Sequence, residues 1–260
     1  MMYYSIKELV EKEPKKDFLV YIPVFNNPEY LELMINQLEN YDIDQIVISD
    51  NWSTYSEMNL LLKDLSKKYV VVKKFTNDGP REFCENKKLF EWLPEKFIVT
   101  DPDIGFNKNL PKDFIKVLSE TSELYNFYRT GFALDIEMDG IETIIEDIPF
   151  SNSNLTMYQW EQQFYILEVG KTEYGDPIYL APIDTTFCLI NKKYHIEHKD
   201  PMELKNICGR IGGNFMAQHY GWHKNPPISK DGFEKYLDLL PPQWSFTSNA
   251  LKRSLMNEKY

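Results

Sequence analysis

Cysteine is scarce in this 260-residue chain. The three cysteines, Cys84, Cys188 and Cys208, are an odd number at wide spacing, with no CxxC pair and no cysteine–histidine cluster. This usage argues against a zinc finger and favours a reducing compartment.

Basic residues are also few. Lysine and arginine number 29 against 40 aspartates and glutamates, which gives a formal net charge of −11. The chain therefore lacks the broad basic face that sequence-independent nucleic-acid binding requires, and we do not expect nucleic acid as a partner.

Long apolar runs are missing. No window approaches the roughly 20 apolar residues of a membrane-spanning helix, and residues 1–18 hold no apolar stretch of signal-peptide length. We expect a cytoplasmic protein, with peripheral contact at the inner face of the membrane left open.

Apolar and aromatic side chains are plentiful. Hydrophobic residues make up 43% of the chain, including 16 Phe, 17 Tyr and 5 Trp, so a sizeable core is available and global disorder is excluded. The length fits one large domain, with no internal repeats.

Strand and helix patterns alternate over the first hundred residues. Short apolar runs predict strands at 18–24, 46–49, 70–72 and 97–100, and helical spacing predicts helices at 28–41, 56–68 and 82–92. This alternation predicts an α/β fold with a mostly parallel central sheet covered by helices.

The pattern is less regular later in the chain. We predict helices at 110–120 and 158–167, strands at 132–136 and 187–190, a loop at 142–154, and a tail over 225–260. A regular first half and an irregular second half suggest a nucleotide-type half-sheet joined to a specialised half.

Polar residues follow each of the four early strands. In an open parallel sheet, ligands bind beyond the carboxyl ends of the strands, so these residues are candidates for a site. They are also ordinary turn formers, which is the competing explanation for any one segment. The segments are 25–28, 50–53, 76–81 and 101–103.

The triplet Asp101-Pro102-Asp103 follows the apolar run FIVT directly. In an extended segment its two carboxylates leave on the same side, where they repel each other unless a cation neutralises them. Hard divalent ions such as Mg²⁺ or Mn²⁺ bind one or two carboxylates together with substrate phosphates. The triplet therefore predicts a metal–diphosphate site.

Six motifs occur in order within residues 18–223, namely YIPVFNNPEYL, ISDNWST, NDGPREF, TDPDI, IDTTF and GGNFMAQHYGWH. This ordered set resembles GT-A fold glycosyltransferases, in particular the bacterial family 2-like enzymes of surface-polysaccharide synthesis. The resemblance implies a nucleotide-binding half at 1–105, an acceptor-binding half at 106–224 and a C-terminal tail at 225–260.

The resemblance also implies a donor site. Pro23, Phe25 and Asn26 would line the nucleotide pocket, Asp50 would hold the base or ribose, and Arg81 would offset the charge of the diphosphate.

For the metal, the resemblance implies Asp101 and Asp103 as ligands, with Asp101 placed between ribose and metal. A late histidine, His219, would complete the coordination of Mn²⁺ or Mg²⁺, with His223 as the alternative. A structural histidine beside Trp222 is the competing explanation.

Two carboxylates are candidates for the chemistry of transfer. We expect Asp184 to contact the donor sugar and Glu161 to act as the base that takes the acceptor's proton. In the alternative, Asp184 caps a turn and Glu161 pairs with a basic side chain.

The expected function is metal-dependent transfer of a sugar from a nucleotide-sugar, with UDP as the expected nucleotide, to a saccharide or lipid-linked saccharide. The alternatives are a non-catalytic nucleotide-sugar-binding module and a phosphotransferase that uses the DxD pair. The tail residues Trp244, Phe246, Lys252 and Arg253 either contact a membrane surface or pack on the domain.

Overall fold

The computed structural model describes residues 1–136, 157–196, 207–223 and 225–239. The predicted loop at 142–154, His198 and the four tail residues Trp244, Phe246, Lys252 and Arg253 lie outside the described residues.

Ten of the described strands form one twisted sheet in the order β1-β4-β3-β2-β5-β10-β7-β11-β9-β8. The strands of this sheet are β1 Met2–Tyr3, β2 Val20–Val24, β3 Ile46–Asp50, β4 Val70–Lys73, β5 Lys96–Val99, β7 Arg129–Phe132, β8 Glu168–Lys171, β9 Pro177–Leu180, β10 Cys188–Asn191 and β11 Cys208–Ile211. A separate two-stranded sheet pairs β6 Ile104–Gly105 with β12 Gln218–His219.

The five strands β1 to β5 of the large sheet run parallel, and β10 and β9 run against the others. The helices are α1 Ile6–Lys12, α2 Pro28–Glu39, α3 Ser56–Leu65, α4 Glu82–Glu85, α5 Lys87–Trp92, α6 Phe114–Tyr125, α7 Met157–Gln162 and α8 Lys230–Leu239. The predicted fold class, a mostly parallel central sheet flanked by helices, is confirmed.

Strand β2 shows how the sequence builds the two layers. Val20, Ile22 and Val24 pack into the cluster that contains α2, α3 and α6, whereas Tyr21 packs into the cluster that contains α1, α4 and α5. Because successive side chains of a strand point to opposite faces, a continuous apolar run serves both layers.

Four predicted elements differ from the structure. The segment predicted as a helix at 82–92 is two short helices separated at Asn86, whose side chain caps the second of them. The predicted strand at 132–136 ends at Phe132 instead of beginning there. The predicted helix at 158–167 ends at Gln162 and continues only as a 3₁₀ turn at Gln163–Tyr165. Part of the predicted tail forms α8.

None of the helices in the described part of the chain is long and apolar enough to cross a membrane.

Candidate metal and donor site

The two carboxylates of the triplet lie just beyond β5. The backbone N–H of Asp101 donates to the carbonyl of Thr185 at 2.9 Å, and the hydroxyl of Thr185 donates to Asp101 Oδ2 at 2.6 Å. The segment after β9 therefore holds Asp101 in place. Asp103 is buried two residues later.

His219 reaches the same place through the small sheet. Strands β12 and β6 pair antiparallel with His219 opposite Ile104, which brings the imidazole beside Asp103. His219 Nδ1 lies 3.7 Å from Asp103 Oδ2. The ring of Trp222 stacks on the imidazole at 4.3 Å between centroids and 6° between planes, which fixes the orientation of the ring.

Asp101, Asp103 and His219 form a cluster that fits a divalent cation. One ligand atom from each residue lies within 4.8 Å of the other two. Nδ1 of His219 is buried and has no hydrogen-bond partner among the described residues, although a buried polar atom normally has one. Two carboxylate oxygens and one imidazole nitrogen are an acceptable ligand set for Mn²⁺.

The electrostatic surroundings of Asp101 also favour a bound cation. Burial, and then the negative charge of Asp103, raise the pKa of Asp101 above its ordinary value. Ionising two carboxylates this close together costs free energy unless a counter-charge is present, and a cation supplies one. The donor set therefore fits the metal that the DxD triplet predicts.

Arg81 and Asp184 form an ion pair beside this cluster. Arg81 Nε and Nη2 donate to Asp184 Oδ1 and Oδ2 at 3.0 and 2.5 Å, and both side chains are about half exposed. Asp184 directly precedes Thr185, so the pair lies next to Asp101. The residues expected to contact the diphosphate and the donor sugar are thus two partners in one exposed ion pair.

Asp50 ends β3 at the same edge of the sheet. Its carboxylate is buried and accepts a hydrogen bond from the backbone N–H of Ser53 at 3.1 Å. Burial raises the pKa of Asp50. Asp50 therefore lies at the carboxyl end of a central strand, the edge at which open α/β sheets bind ligands, with its side chain buried.

The loop after β2 is held in place by hydrogen bonds to the loop after β3. Asn26 has a left-handed backbone, with φ of 52°, and its side-chain oxygen accepts from the N–H groups of Thr54 and Tyr55 at 2.8 and 2.9 Å. Asn26 therefore fastens the loop after β2 to the loop after β3. Pro23 is buried within β2 rather than exposed at its end, whereas Phe25 is partly exposed at the edge.

Glu161 lies on α7 and is buried. Arg210 Nη1 donates to Glu161 Oε2 at 2.6 Å, and the Arg210 guanidinium also lies over the ring of Phe164. The expectation that this carboxylate is free to accept a proton therefore needs correction. The geometry favours the alternative in which Glu161 pairs with a basic side chain.

Two residues of the site were missed at the level of the sequence. Thr185 contacts Asp101 and is adjacent to the singled-out Asp184, so its position was a usable signal. Tyr236 contacts Asp103 from α8, where the 3- and 4-residue spacing of Phe233, Tyr236 and Leu237 could have indicated a helix.

Neither a protein-family model nor a curated protein matches this chain. Three similar solved structures are TarS from S. aureus, a mannosyltransferase from Pyrobaculum calidifontis and HddC from Yersinia pseudotuberculosis. TarS, which has also been solved with UDP, is 14% identical with a TM-score of 0.43, over 86% of this chain and 64% of that chain.

The mannosyltransferase, solved with GDP-Man and Mn²⁺, is 8% identical with a TM-score of 0.48, over 92% of this chain and 69% of that chain. HddC is 14% identical with a TM-score of 0.46, over 86% of this chain and 98% of that chain. Similarities at this level do not assign an activity to this chain.

Proposed function

We propose that this protein transfers a glycosyl group from a nucleotide-sugar to an acceptor hydroxyl in a metal-dependent reaction. The observation that carries the proposal is the convergence of Asp101, Asp103 and His219 at the carboxyl edge of the sheet, where His219 Nδ1 has no hydrogen-bond partner among the described residues. The order of motifs that resembles GT-A glycosyltransferases supports it. UDP is the proposed nucleotide and Mn²⁺ the proposed ion.

Each part of the edge has a role in this proposal. Asp50 and the joined loops after β2 and β3 receive the nucleoside, and the metal cluster receives the diphosphate. When bound, a divalent cation acts as a Lewis acid that stabilises charge on the departing diphosphate. Arg81 adds positive charge to the same region. A guanidinium suits this role because it can donate two hydrogen bonds at once to phosphate oxygens.

Asp184 is the better placed of the two candidate carboxylates. It is about half exposed and lies beside Asp101, whereas Glu161 is buried with Arg210. We therefore assign Asp184, rather than Glu161, to contact with the reacting sugars. The acceptor is proposed to be a saccharide or a lipid-linked saccharide, bound by the half of the chain that follows residue 105.

A thermal-shift screen tests the proposal. Nucleotides and nucleotide-sugars are added with and without Mn²⁺, because a ligand that binds the folded state raises its melting temperature. We expect a UDP-sugar to raise the melting temperature only with Mn²⁺, and Asp103→Ala to abolish that shift. Asp44→Ala is the matched control, since Asp44 is exposed before β3 and outside the metal cluster.

Release of nucleoside diphosphate in a panel of acceptors then separates the alternatives. Release that requires Mn²⁺ and Asp103 supports transfer. Binding without release in every acceptor favours a non-catalytic nucleotide-sugar-binding module. Turnover of p-nitrophenyl phosphate favours a phosphotransferase, and full activity in Asp103→Ala contradicts the metal assignment.

A further inference from the structure

The helix α8, the last described element along the chain, packs against the candidate metal site. Its buried residues Phe233, Tyr236 and Leu237 cluster with Tyr30 of α2. The rings of Tyr30 and Tyr236 meet edge to face, with 5.0 Å between their centroids. The helix α8 therefore packs against α2, the helix that follows β2.

Polar contacts hold α8 just before its first residue and near its middle. The N–H and the hydroxyl of Ser229, just before the helix, donate to the carboxylate of Glu29 at 2.7 and 2.6 Å. Lys235 lies 3.7 Å from Glu57 and over the ring of Tyr55, both near the start of α3. Since α2 and α3 begin at the carboxyl edge of the sheet, these contacts fix α8 at the edge that carries the candidate site.

Tyr236 connects this helix to the cluster. Its hydroxyl lies 3.4 Å from Asp103 Oδ2, and both residues are buried. The same carboxylate oxygen lies 3.7 Å from His219 Nδ1. A carboxylate oxygen has two lone pairs, so it can accept the tyrosine O–H on one side and face a cation on the other.

Gly221 shows how close this arrangement is. A Cβ placed on Gly221 would lie 2.4 Å from Asp103 Oδ2, 3.1 Å from the Tyr236 hydroxyl and 3.2 Å from His219 Cε1. The side chains of Asp103, His219 and Tyr236 thus converge on one glycine. Only a residue without a side chain leaves room for them.

We propose that Tyr236 is a positioning residue for the metal site: its hydroxyl orients the Asp103 carboxylate, so that metal affinity depends on the docked helix α8. The inference rests on the proposed function in one respect, namely that Asp101, Asp103 and His219 bind a divalent cation. Groups that hydrogen-bond to metal ligands fix the orientation of those ligands, and their removal typically weakens metal binding by about 10- to 100-fold.

The test is a titration of the full chain with Mn²⁺ alone, without nucleotide, in which free Mn²⁺ is followed by electron paramagnetic resonance. Tyr236→Phe keeps the ring that packs on Tyr30 and removes only the hydroxyl. We expect it to raise the Kd for Mn²⁺ by about tenfold. We expect the melting temperature without metal to stay close to that of the wild type.

Tyr41→Phe is the matched control. It removes a hydroxyl that donates to the carbonyl of Leu110 and leaves a ring packed edge to face on Phe114, outside the metal cluster. Its Mn²⁺ affinity should equal that of the wild type, so a loss confined to Tyr236→Phe supports the positioning role.

The outcomes separate the two proposals. If the wild type does not bind Mn²⁺, the metal site and the proposed function fail together. If the wild type binds and Tyr236→Phe binds equally well, only the role of Tyr236 is overturned. Should Tyr236→Phe melt below the assay temperature, Ser229→Ala decides, because it loosens α8 while keeping Tyr236, and an unchanged affinity then overturns the proposal.

Discussion

Glu161 and Arg210 form an ion pair in the interior of the protein, with Oε2 and Nη1 2.6 Å apart and the two side chains 5% and 7% exposed. Neither charge has ready access to water, so each depends on the other. This pairing favours a structural role for Glu161, whereas the sequence predicts that Glu161 acts as the base.

The first prediction concerns this pair. Arg210→Met leaves the Glu161 carboxylate buried without its partner and should destabilise the protein by about 3–5 kcal/mol. Urea denaturation measures the loss. Glu120→Gln breaks an exposed ion pair with Lys116 and should cost less than about 1 kcal/mol. A stable Glu161→Gln variant that has lost all transfer would restore Glu161 as the base.

The second prediction concerns His219. His219→Ala removes one of three proposed ligands and should raise the Kd for Mn²⁺ by about tenfold or more. Mn²⁺ titration measures the effect, and His195→Ala is the control because His195 is exposed and packs near Phe90 and Tyr128 instead. Equal affinities in the two variants would remove His219 from the site.

The third prediction concerns Gly221. Gly221→Ala places a Cβ against Asp103 Oδ2 and should displace the carboxylate, so Mn²⁺ affinity should fall. Gly175→Ala separates this effect from general destabilisation. Its backbone has φ of 86°, which strains any alanine, but nothing lies within 4 Å of the added carbon. It should lower the melting temperature and leave Mn²⁺ affinity unchanged, and the idea fails if Gly221→Ala does the same.

The fourth prediction concerns Arg81. Because its ion pair with Asp184 is about half exposed, breaking the pair should change stability by less than about 1 kcal/mol. Arg81→Ala should nevertheless weaken the binding of UDP in the presence of Mn²⁺ by about tenfold, since it removes charge-assisted hydrogen bonds to the diphosphate. Calorimetry measures the affinity. Lys87→Ala, at an exposed position on α5, is the control and should have no effect.

The fifth prediction is a pH dependence of stability. Burial, and then the nearby His219, lower the pKa of His223 to about 4. Between about pH 4 and 6.5 the unfolded chain therefore binds more protons than the folded one. The stability that His223 contributes is complete above pH 6.5 and is lost as the pH falls towards 4, by up to about 3 kcal/mol.

Urea denaturation of the wild type and His223→Gln at several pH values isolates this contribution. The variant has no titrating side chain at this position, so its stability deficit relative to the wild type should shrink as the pH falls from 7 to 4.5. A constant difference for His223→Gln contradicts the shifted pKa.

The parallel half of the fold could be predicted because its strands are buried on both faces. Runs such as 46–48 and 97–99 are wholly apolar, and helical spacing fills the segments between them. The later strands gave a weaker signal: β7 begins with Arg129 and contains Gly131, and β8 is largely exposed. Strand β7 pairs with β10 and β11, which lie far along the chain.

The residues of the candidate site also differ in how far the sequence predicts them. Asp101 and Asp103 stand out in the sequence because they lie two residues apart directly after a buried strand. Tyr236 lies 133 residues from its partner Asp103, and no local pattern records that contact. Glu161 is predicted to be the base, but its partner Arg210 lies 49 residues away, where local sequence could not reveal it.

The antiparallel pairing of β6 with β12 has a consequence for assembly. A nascent chain that has emerged only as far as β5 and the DPD triplet would carry both proposed acidic ligands without the imidazole. The third proposed ligand, His219, joins them only after β12 pairs with β6. A cation bound there would link the segment around β6 to the segment around β12. Its removal by a chelator should therefore reduce the stability of both segments together.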